Sequence, residues 1–135
     1  MPAVVVDINV LLDIMTEDER WFTWSASALA DTADRYRLVI NPVIYAEVSV
    51  RFQRIEELDA ALPAELLDRE AVPFPAAFLA AKVYVAYRRR GGTRRSPLPD
   101  FFIGAHAAVS GYQLLTRDPA RYRTYFPSLQ LIAPG

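Results

Sequence analysis

The segment AVVVD, residues 3–7, decides the predicted fold. Its apolar residues are mostly β-branched and lead directly into an acid, which is typical of a short buried strand. The segments LVIN (38–41), YQLLT (112–116) and LQLIA (129–133) have a similar composition. We therefore predict four strands.

Helical patterns separate these predicted strands. Residues 18–35 and 42–54 carry apolar side chains at helical spacing, and residues 75–90 and 99–110 also indicate helices. A loop rich in glycine and arginine divides the last two. Strands that alternate with helices favour an α/β fold in which helices flank a mostly parallel sheet.

Length and composition favour one domain. The chain has 135 residues, of which 53% are hydrophobic, so we expect a single domain over residues 1–135. The sequence has no apolar run of about 18 residues and no basic residue before its apolar start, so we expect no membrane span, no secretory signal and a cytoplasmic location. Because cysteine is absent, disulfides, thiolate metal sites and cysteine nucleophiles are excluded.

The two halves of the chain differ in charge. Residues 1–70 hold 14 acids and 6 arginines, whereas residues 71–135 hold 2 acids and 9 basic residues. The two acids of the basic half are Asp100 and Asp118. Each of them therefore calls for a specific explanation.

Four acids follow or adjoin the predicted strands. Asp7 closes the first strand, and Asp118 lies just past the strand at 112–116. Glu47 lies in the second turn of the helix that follows LVIN, and Asp100 begins the helix before the strand that leads to Asp118. In open α/β sheets, ligands bind outside the carboxyl ends of the strands. We therefore expect these acids to lie near one edge of the sheet.

Converging carboxylates indicate a metal site. Like charges a few ångströms apart raise one another's pKa, so the group cannot stay fully ionised without a cation. Mg²⁺ or Mn²⁺ prefers carboxylate and water oxygens, and one or two such ions can activate a water beside a phosphate. An anionic substrate is expected for such a site.

Four segments in register resemble a known family. VVVDINVLLD near the start, NPVIYAEV in the middle, and LPDFFIGAHA and YQLLTRD near the end resemble the PIN-domain ribonucleases, in particular the VapC-type toxins of bacterial and archaeal toxin–antitoxin pairs. The resemblance implies a short parallel sheet, a Mg²⁺- or Mn²⁺-dependent endoribonuclease, an antitoxin partner and a homodimer. It also implies products with a 5′-phosphate and a 3′-hydroxyl.

The resemblance also assigns site residues. It implies a catalytic quartet of Asp7, Glu47, Asp100 and Asp118, with direct metal binding by Asp7, Asp100 and Asp118. Asn9 and Thr116 match polar residues expected to orient the carboxylates, although Asn9 also suits a helix cap and Thr116 also suits a strand. At Ile8 the family usually has a small or hydroxyl residue.

Ordinary structural roles are also open to the acids. Glu47 precedes Arg51 by four residues, which is the spacing of an ion pair on a helix surface. Asp100 follows Pro99 and suits a helix start, and Asp118 suits the first position of a turn. Four acids crowd the start of the helix predicted over 18–35 and are expected to be solvated caps: Asp13, Glu17, Asp18 and Glu19.

The segment YRRRGGTRRS, residues 87–96, is rich in arginine. One interpretation is an RNA-binding lip, in which guanidinium groups contact phosphates and Tyr84 or Tyr87 stacks on a base. The other is a solvated loop. The arginines concerned are Arg88, Arg89, Arg90, Arg94 and Arg95. The single histidine, His106, is predicted to lie away from the face that carries Asp100 and is left out of the site.

Two other functions remain open. A haloacid-dehalogenase-like phosphatase also has an acid after its first strand, but it requires a second acid at the position of Asn9 and a later lysine, and Lys82 is the only lysine. A non-catalytic module would instead bind RNA or protein. A protein of that kind has no requirement for all four acids.

Overall fold

The computed structural model describes residues 2–92 and 98–135. Within them, five parallel strands form one sheet in the order β3-β2-β1-β4-β5. The strands are β1 (Ala3–Val6), β2 (Arg37–Ile40), β3 (Leu67–Arg69), β4 (Gln113–Leu115) and β5 (Leu131–Ile132). The prediction of an α/β fold with helices flanking a parallel sheet is confirmed.

The described residues form seven helices. They are α1 (Ile8–Met15), α2 (Phe22–Arg35), α3 (Pro42–Ser49), α4 (Ile55–Ala61), α5 (Phe74–Arg89), α6 (Leu98–Ser110) and α7 (Ala120–Tyr125). Parallel crossovers are right-handed, so the helices before and after β3 cover opposite faces of the sheet. Helix α1 packs against α2, and α5 packs against α6.

The central strand β1 is buried at every position. Val4, Val5 and Val6 are fully shielded from solvent, as expected for a parallel strand covered on both faces. Burial of each such side chain contributes about 2 kcal/mol. These residues hold the position from which Asp7 leaves the sheet.

Gly104 allows a close approach to helix α6. A Cβ at this position would lie 2.6 Å from the Phe126 ring, which is closer than real Cβ contacts. The absence of a side chain therefore lets the segment after α7 pack directly on α6. This packing brings α7 toward the same edge of the sheet as Asp100.

Helix boundaries differ from the prediction at two places. The helix predicted over 42–54 ends at Ser49, whose hydroxyl donates to the Tyr45 carbonyl and competes with the backbone pattern. Phe52 then lies in a turn, before α4 begins. The helix predicted over 18–35 begins at Phe22, because the Asp18 carboxylate accepts two backbone N–H groups in a preceding turn.

Three short elements have no counterpart in the prediction. Strand β3 has three residues and lies at an edge of the sheet, and its sequence LDR is mostly polar. Helices α4 and α7 have seven and six residues, which is too short for a clear apolar period.

The strand order reverses between β1 and β4. In parallel sheets such a reversal opens a crevice outside the carboxyl ends of the two strands. The segments that begin at Asp7 and Thr116 leave the sheet at this point. No helix in the described part of the chain has the length and apolarity needed to cross a membrane.

Candidate active site

A cavity of about 660 Å³ occupies the crevice beside β1 and β4. All four acids of the predicted quartet line it, and so do two acids that the sequence analysis treated as solvated caps. The acids are Asp7, Asp13, Asp18, Glu47, Asp100 and Asp118, and the arginines of the lining are Arg51, Arg117 and Arg121. The lining therefore has an excess of acids over bases.

Asp7 is the most buried acid of the quartet. It caps α1, and its Oδ1 accepts the Ile8 backbone N–H at 2.8 Å. Its Oδ2 accepts hydroxyl hydrogen bonds from Thr116 at 2.9 Å and from Tyr122 at 3.0 Å. The carboxylate is thus fixed from three elements of the fold.

Burial raises the pKa of Asp7 to about 6, and the nearby charge of Asp100 adds to the effect. The hydrogen bonds from Thr116, the Ile8 backbone and Tyr122 oppose this change. A buried carboxylate with a raised pKa is typical of a functional site. A cation beside it would favour the ionised form.

Asn9 and Thr116 connect the acids. The Nδ2 of Asn9 lies 3.2 to 3.5 Å from oxygens of Asp7, Thr116 and Asp118, and its Oδ1 accepts the Arg117 N–H at 3.2 Å. The Thr116 hydroxyl also accepts the Asp118 N–H at 3.1 Å. The two polar residues therefore link the end of β1 to the end of β4.

Glu47 reaches the cavity from helix α3. Its Oε1 is buried and has no hydrogen-bond partner among the described residues. Burial raises the pKa of Glu47, and the charge of Asp100 adds to this change. An unsatisfied buried acceptor is unfavourable, so a ligand that supplied a positive charge here would relieve a local penalty.

The two remaining acids face arginines. Asp100 forms an ion pair with Arg121 of α7. Asp118 lies 3.1 Å from Nη1 of Arg117, whose Nε also contacts Asp13 at 2.8 Å. The side chain of Asp118 is 67% exposed, so its pairing is open to exchange with solvent or a ligand.

The carboxylate oxygens of the cavity are the type of ligand that a hard divalent cation prefers. Four carboxylates line one cavity, and one of them carries a buried oxygen without a partner in the described chain. As the side chains stand, no three His, Cys, Asp or Glu residues in the described ranges are grouped closely enough to hold a metal ion. A cation would therefore require Asp100 or Asp118 to exchange its arginine.

Several residues of the cavity were missed from the sequence. Tyr122 is buried in α7, and burial together with the charges of Asp7 and Asp100 raises its pKa well above the usual value. Arg117 and Arg121 flank Asp118, and their spacing around an acid was the only available signal. Asp13 is buried and accepts the Ser25 hydroxyl at 2.7 Å, so its assignment as a solvated cap is wrong.

Ile8 is an apolar residue between the polar residues Asp7 and Asn9. It is buried in the core and also lines the cavity. Its backbone N–H binds Asp7, so this position still contributes one hydrogen bond through the main chain.

The predicted arginine lip is only partly described. Arg88 and Arg89 end α5, and Arg90 lies over the Tyr125 ring at 5.5 Å. These three side chains are exposed and do not line the cavity. Arg94 and Arg95 lie outside the described residues. Tyr87 packs edge-on against Phe101 and Tyr125.

His106 is buried and belongs to a separate, partly exposed cluster. Its Nδ1 lies 3.0 Å from Nδ2 of Asn41, and its Nε2 lies 3.5 Å from Oε1 of Glu70. Arg37 and Tyr112 complete the cluster by donating to Glu70. None of these residues is among the described residues that line the acidic cavity.

Comparison with known families agrees with this architecture. A family model described as the PIN domain matches residues 4–127. The chain belongs to the PIN domain family. A comparison with curated proteins gave no significant match.

Solved structures resemble this PIN domain over nearly its full length. A crystal structure of VapBC2 from Rickettsia felis, bound to a DNA fragment from its promoter, has a TM-score of 0.74 at 14% identity and covers 98% of this chain and 99% of that chain. VapBC-1 from nontypeable Haemophilus influenzae has a TM-score of 0.72 at 18% identity and covers 97% of each chain. A toxin–antitoxin complex from Klebsiella pneumoniae has a TM-score of 0.63 at 19% identity and covers 98% of each. At these identities the similarity establishes the fold.

Proposed function

We propose that this PIN domain is a metal-dependent endoribonuclease and the toxin of a type II toxin–antitoxin pair. The observation that carries the proposal is the convergence of four carboxylates on one cavity, where Asp7 has a raised pKa and Glu47 has an unsatisfied oxygen. Such an arrangement is costly to folding and is retained where it binds a cation.

Asp7, Asp100 and Asp118 would hold one or two Mg²⁺ or Mn²⁺ ions, and Glu47 would act from helix α3 in the same cavity. The bound metal would supply a water of lowered pKa and positive charge at the phosphate. Glu47, whose own pKa is raised, is suited to accept the proton of the attacking water. Hydrolysis would leave a 5′-phosphate and a 3′-hydroxyl.

Asn9, Thr116 and Tyr122 would position the first acid. Each of them contacts Oδ2 of Asp7, and two of them donate through hydroxyl groups. Removal of one donor would raise the pKa of Asp7 further and weaken its hold on a cation. We assign these residues to orientation of the carboxylate.

An RNA chain is the proposed substrate because the site combines acids with arginines. A cation and the arginines of the wall would neutralise a phosphodiester that the bare acids repel. Arg88, Arg89 and Arg90 would contact phosphates farther from the cut, as would Arg94 and Arg95, which lie outside the described residues.

The proposed partners follow from the same assignment. A cognate antitoxin would cover the acidic cavity, and two copies of the chain would form a homodimer. We also propose that the whole chain, residues 1–135, is one domain that acts in the cytoplasm, where its RNA substrates are made.

The lone lysine argues against a haloacid-dehalogenase-like phosphatase. Lys82 lies on α5 over the Phe78 ring, outside the residues that line the cavity. A phosphatase of that class needs a lysine in its site. The non-catalytic alternative is separated by the experiment below.

The test is cleavage of a mixed RNA pool by purified protein with Mg²⁺, with Mn²⁺ and with EDTA. We expect cleavage with either metal, none with EDTA, and none with the Asp7→Asn variant. A folded wild-type protein that binds RNA but leaves the pool intact under every condition would indicate the binding module. Release of phosphate from a small ester without RNA cleavage would indicate the phosphatase.

A further inference from the structure

Arg121 lines the acidic cavity and pairs with one of its carboxylates. It lies in the first turn of α7, next to Tyr122, and its Nη1 pairs with Oδ2 of Asp100. The Arg121 side chain is 20% exposed and the Asp100 side chain is 35% exposed, so the pair is partly shielded from water. An ion pair in such a setting is stronger than one on the surface.

A divalent cation and this guanidinium compete for one carboxylate. If both contacted Oδ2 of Asp100, two positive groups would lie within a few ångströms of each other and repel strongly. Since the proposed metal site includes Asp100, the ion pair with Arg121 opposes metal entry. A cation that takes this oxygen of Asp100 would therefore displace Arg121.

Arg117 is held differently from Arg121. It contacts Asp118, but it also contacts the buried Asp13 at 2.8 Å, and its guanidinium lies over the Trp21 ring at 5.5 Å. If Asp118 turned to a metal, Arg117 would keep these two partners. Among the described residues, Arg121 has a single acidic partner, which is Asp100.

A displaced Arg121 would face an anionic ligand. It lies in the wall of a cavity whose carboxylates would by then be occupied by a cation. The guanidinium fork matches two oxygens of a phosphodiester, and a phosphate held beside the cation is the anion that the proposed reaction supplies. Arg121 would not need a large movement, because it already lines the same cavity as the acids.

We propose that Arg121 exchanges partners during function. It neutralises Asp100 when the cavity holds no cation, and it binds the RNA phosphate when a cation takes Asp100. The inference rests on the proposed function and extends it by naming the residue that couples cation binding to substrate binding. Both halves of the exchange make separate predictions.

The first half is tested by titration of Mn²⁺ without RNA, with free Mn²⁺ measured by electron paramagnetic resonance. Arg121→Ala and Arg121→Gln should bind Mn²⁺ at least threefold more tightly than the wild type, because the competing cation is gone. Arg123→Ala is the matched control, since Arg123 lies exposed on the same helix. Its Mn²⁺ affinity should stay within twofold of the wild type.

The second half is tested by binding of a labelled 12-nucleotide RNA, with Ca²⁺ in place of Mn²⁺ and the RNA checked on a gel for intactness. Both Arg121 variants should bind about tenfold more weakly, as expected for removal of one charge-assisted hydrogen bond. The slope of log affinity against log salt should fall by about 0.7 for each single-strand phosphate that the variant no longer neutralises. Arg123→Ala should leave this slope unchanged.

The outcomes separate this exchange from the nuclease assignment. Unchanged or weaker Mn²⁺ binding by both Arg121 variants would overturn the exchange, and so would RNA affinity equal to the wild type. A wild-type protein that cuts RNA while either result holds would keep the nuclease proposal and refute the exchange alone. If both Arg121 variants show the expected changes in Mn²⁺ and RNA affinity but the wild type never cuts RNA, the exchange is supported and the nuclease proposal is refuted.

Discussion

The molecule contains two clusters of polar side chains beside the sheet, and they differ in how their charges are paired. The acidic cavity beside β1 and β4 has more acids than bases, and one buried oxygen of Glu47 has no partner in the described residues. The cluster beside β2 and β3 joins Glu70 to Arg37 at 2.7 Å and to Tyr112 at 3.0 Å. Its charges are largely balanced.

The difference is visible in the pKa values of the two glutamates. Burial and the charge of Asp100 raise the pKa of Glu47. At Glu70 burial acts in the same direction, but the hydrogen bonds from Arg37 and Tyr112 outweigh it and lower the pKa. A balanced cluster stabilises the fold, whereas an unbalanced one is ready for a ligand.

Matched substitutions of these glutamates should give the largest and most opposed effects. Glu47→Gln should reduce RNA cleavage by about 100-fold or more, because it removes the group proposed to accept the proton of the attacking water. It should not destabilise the protein, since the lost charge is unsatisfied. Cleavage assays and urea unfolding check both expectations.

Glu70→Gln should behave in the opposite manner. Loss of its charge leaves Arg37 with Asp68 as its acidic partner, so the free energy of unfolding should fall by about 2 kcal/mol. Cleavage should stay within about threefold of the wild type. If Glu70→Gln abolished cleavage while the protein stayed folded, the division into a functional and a structural cluster would be wrong.

Asp7→Asn should stabilise the protein in EDTA by about 2 kcal/mol at pH 7.5. The pKa of Asp7 is raised from 3.8 to about 6 in the folded state. Between about pH 4 and pH 6, Asp7 is therefore protonated in the folded protein and ionised in the unfolded chain. Stability due to Asp7 therefore falls as the pH rises from 4 to 6, and the full shift corresponds to about 3 kcal/mol. The expected gain of about 2 kcal/mol is smaller than the full shift, because the amide introduced by the substitution has one acceptor oxygen fewer than the carboxylate.

Urea unfolding at pH 4.5, 6 and 7.5 measures this effect. The advantage of Asp7→Asn over the wild type should grow along this series. Equal stability of the two proteins at every pH would contradict the burial of an ionised Asp7.

Thr116 offers a smaller test of the acidic cluster. Its hydroxyl donates to Asp7 and accepts from the Asp118 N–H, so Thr116→Val should lower the free energy of unfolding by about 1 kcal/mol. It should also shift Mn²⁺ binding to higher pH, since Asp7 loses a donor. Thr116→Ser keeps the hydroxyl and should preserve the wild-type pH dependence of binding, and a shift in this control would assign the effect to packing.

The smallest expected effect belongs to His106. Burial lowers its pKa against the opposing influence of Glu70, so the unfolded chain takes up a proton more readily as the pH falls below 6.5. The wild type should lose stability from this source as the pH falls below 6.5. His106→Gln should show a flatter profile while Arg37 and Glu70 remain in place.

Proton-coupled nitrogen spectra provide an independent measurement. Since Oδ1 of Asn41 accepts the Ile44 N–H, its amide presents Nδ2 to Nδ1 of His106. The ring should therefore be neutral at pH 7 with its proton on Nε2. A proton on Nδ1 at that pH would refute the arrangement.

The sequence predicted the part of the site that depends on strand ends. Asp7 and Thr116 end or follow buried apolar runs, and parallel strands bring such positions together. Glu47 lies on a helix and has an ordinary surface alternative, but it was placed near the same edge because its helix follows a predicted strand. The parallel direction of the strands could be inferred because helices alternate with strands.

The remaining features depend on packing that a single sequence does not encode locally. Tyr122 lies on a six-residue helix, and its contact with Asp7 joins residues 115 positions apart. Asp13 lies among acids of the surface, but α1 and α2 pack so that it meets Ser25. Strand β3 is short and partly polar because it lies at the edge of the sheet.

The position of β1 has a consequence for the synthesis of the protein. The backbone N–H of Asp7 pairs with Leu115 and its carboxylate with Thr116 and Tyr122, all of which are synthesised more than 100 residues after Asp7. A ribosome must complete β4 and α7 before these contacts can form. A growing chain on its own ribosome therefore lacks the assembled acidic cavity until these later residues have been made.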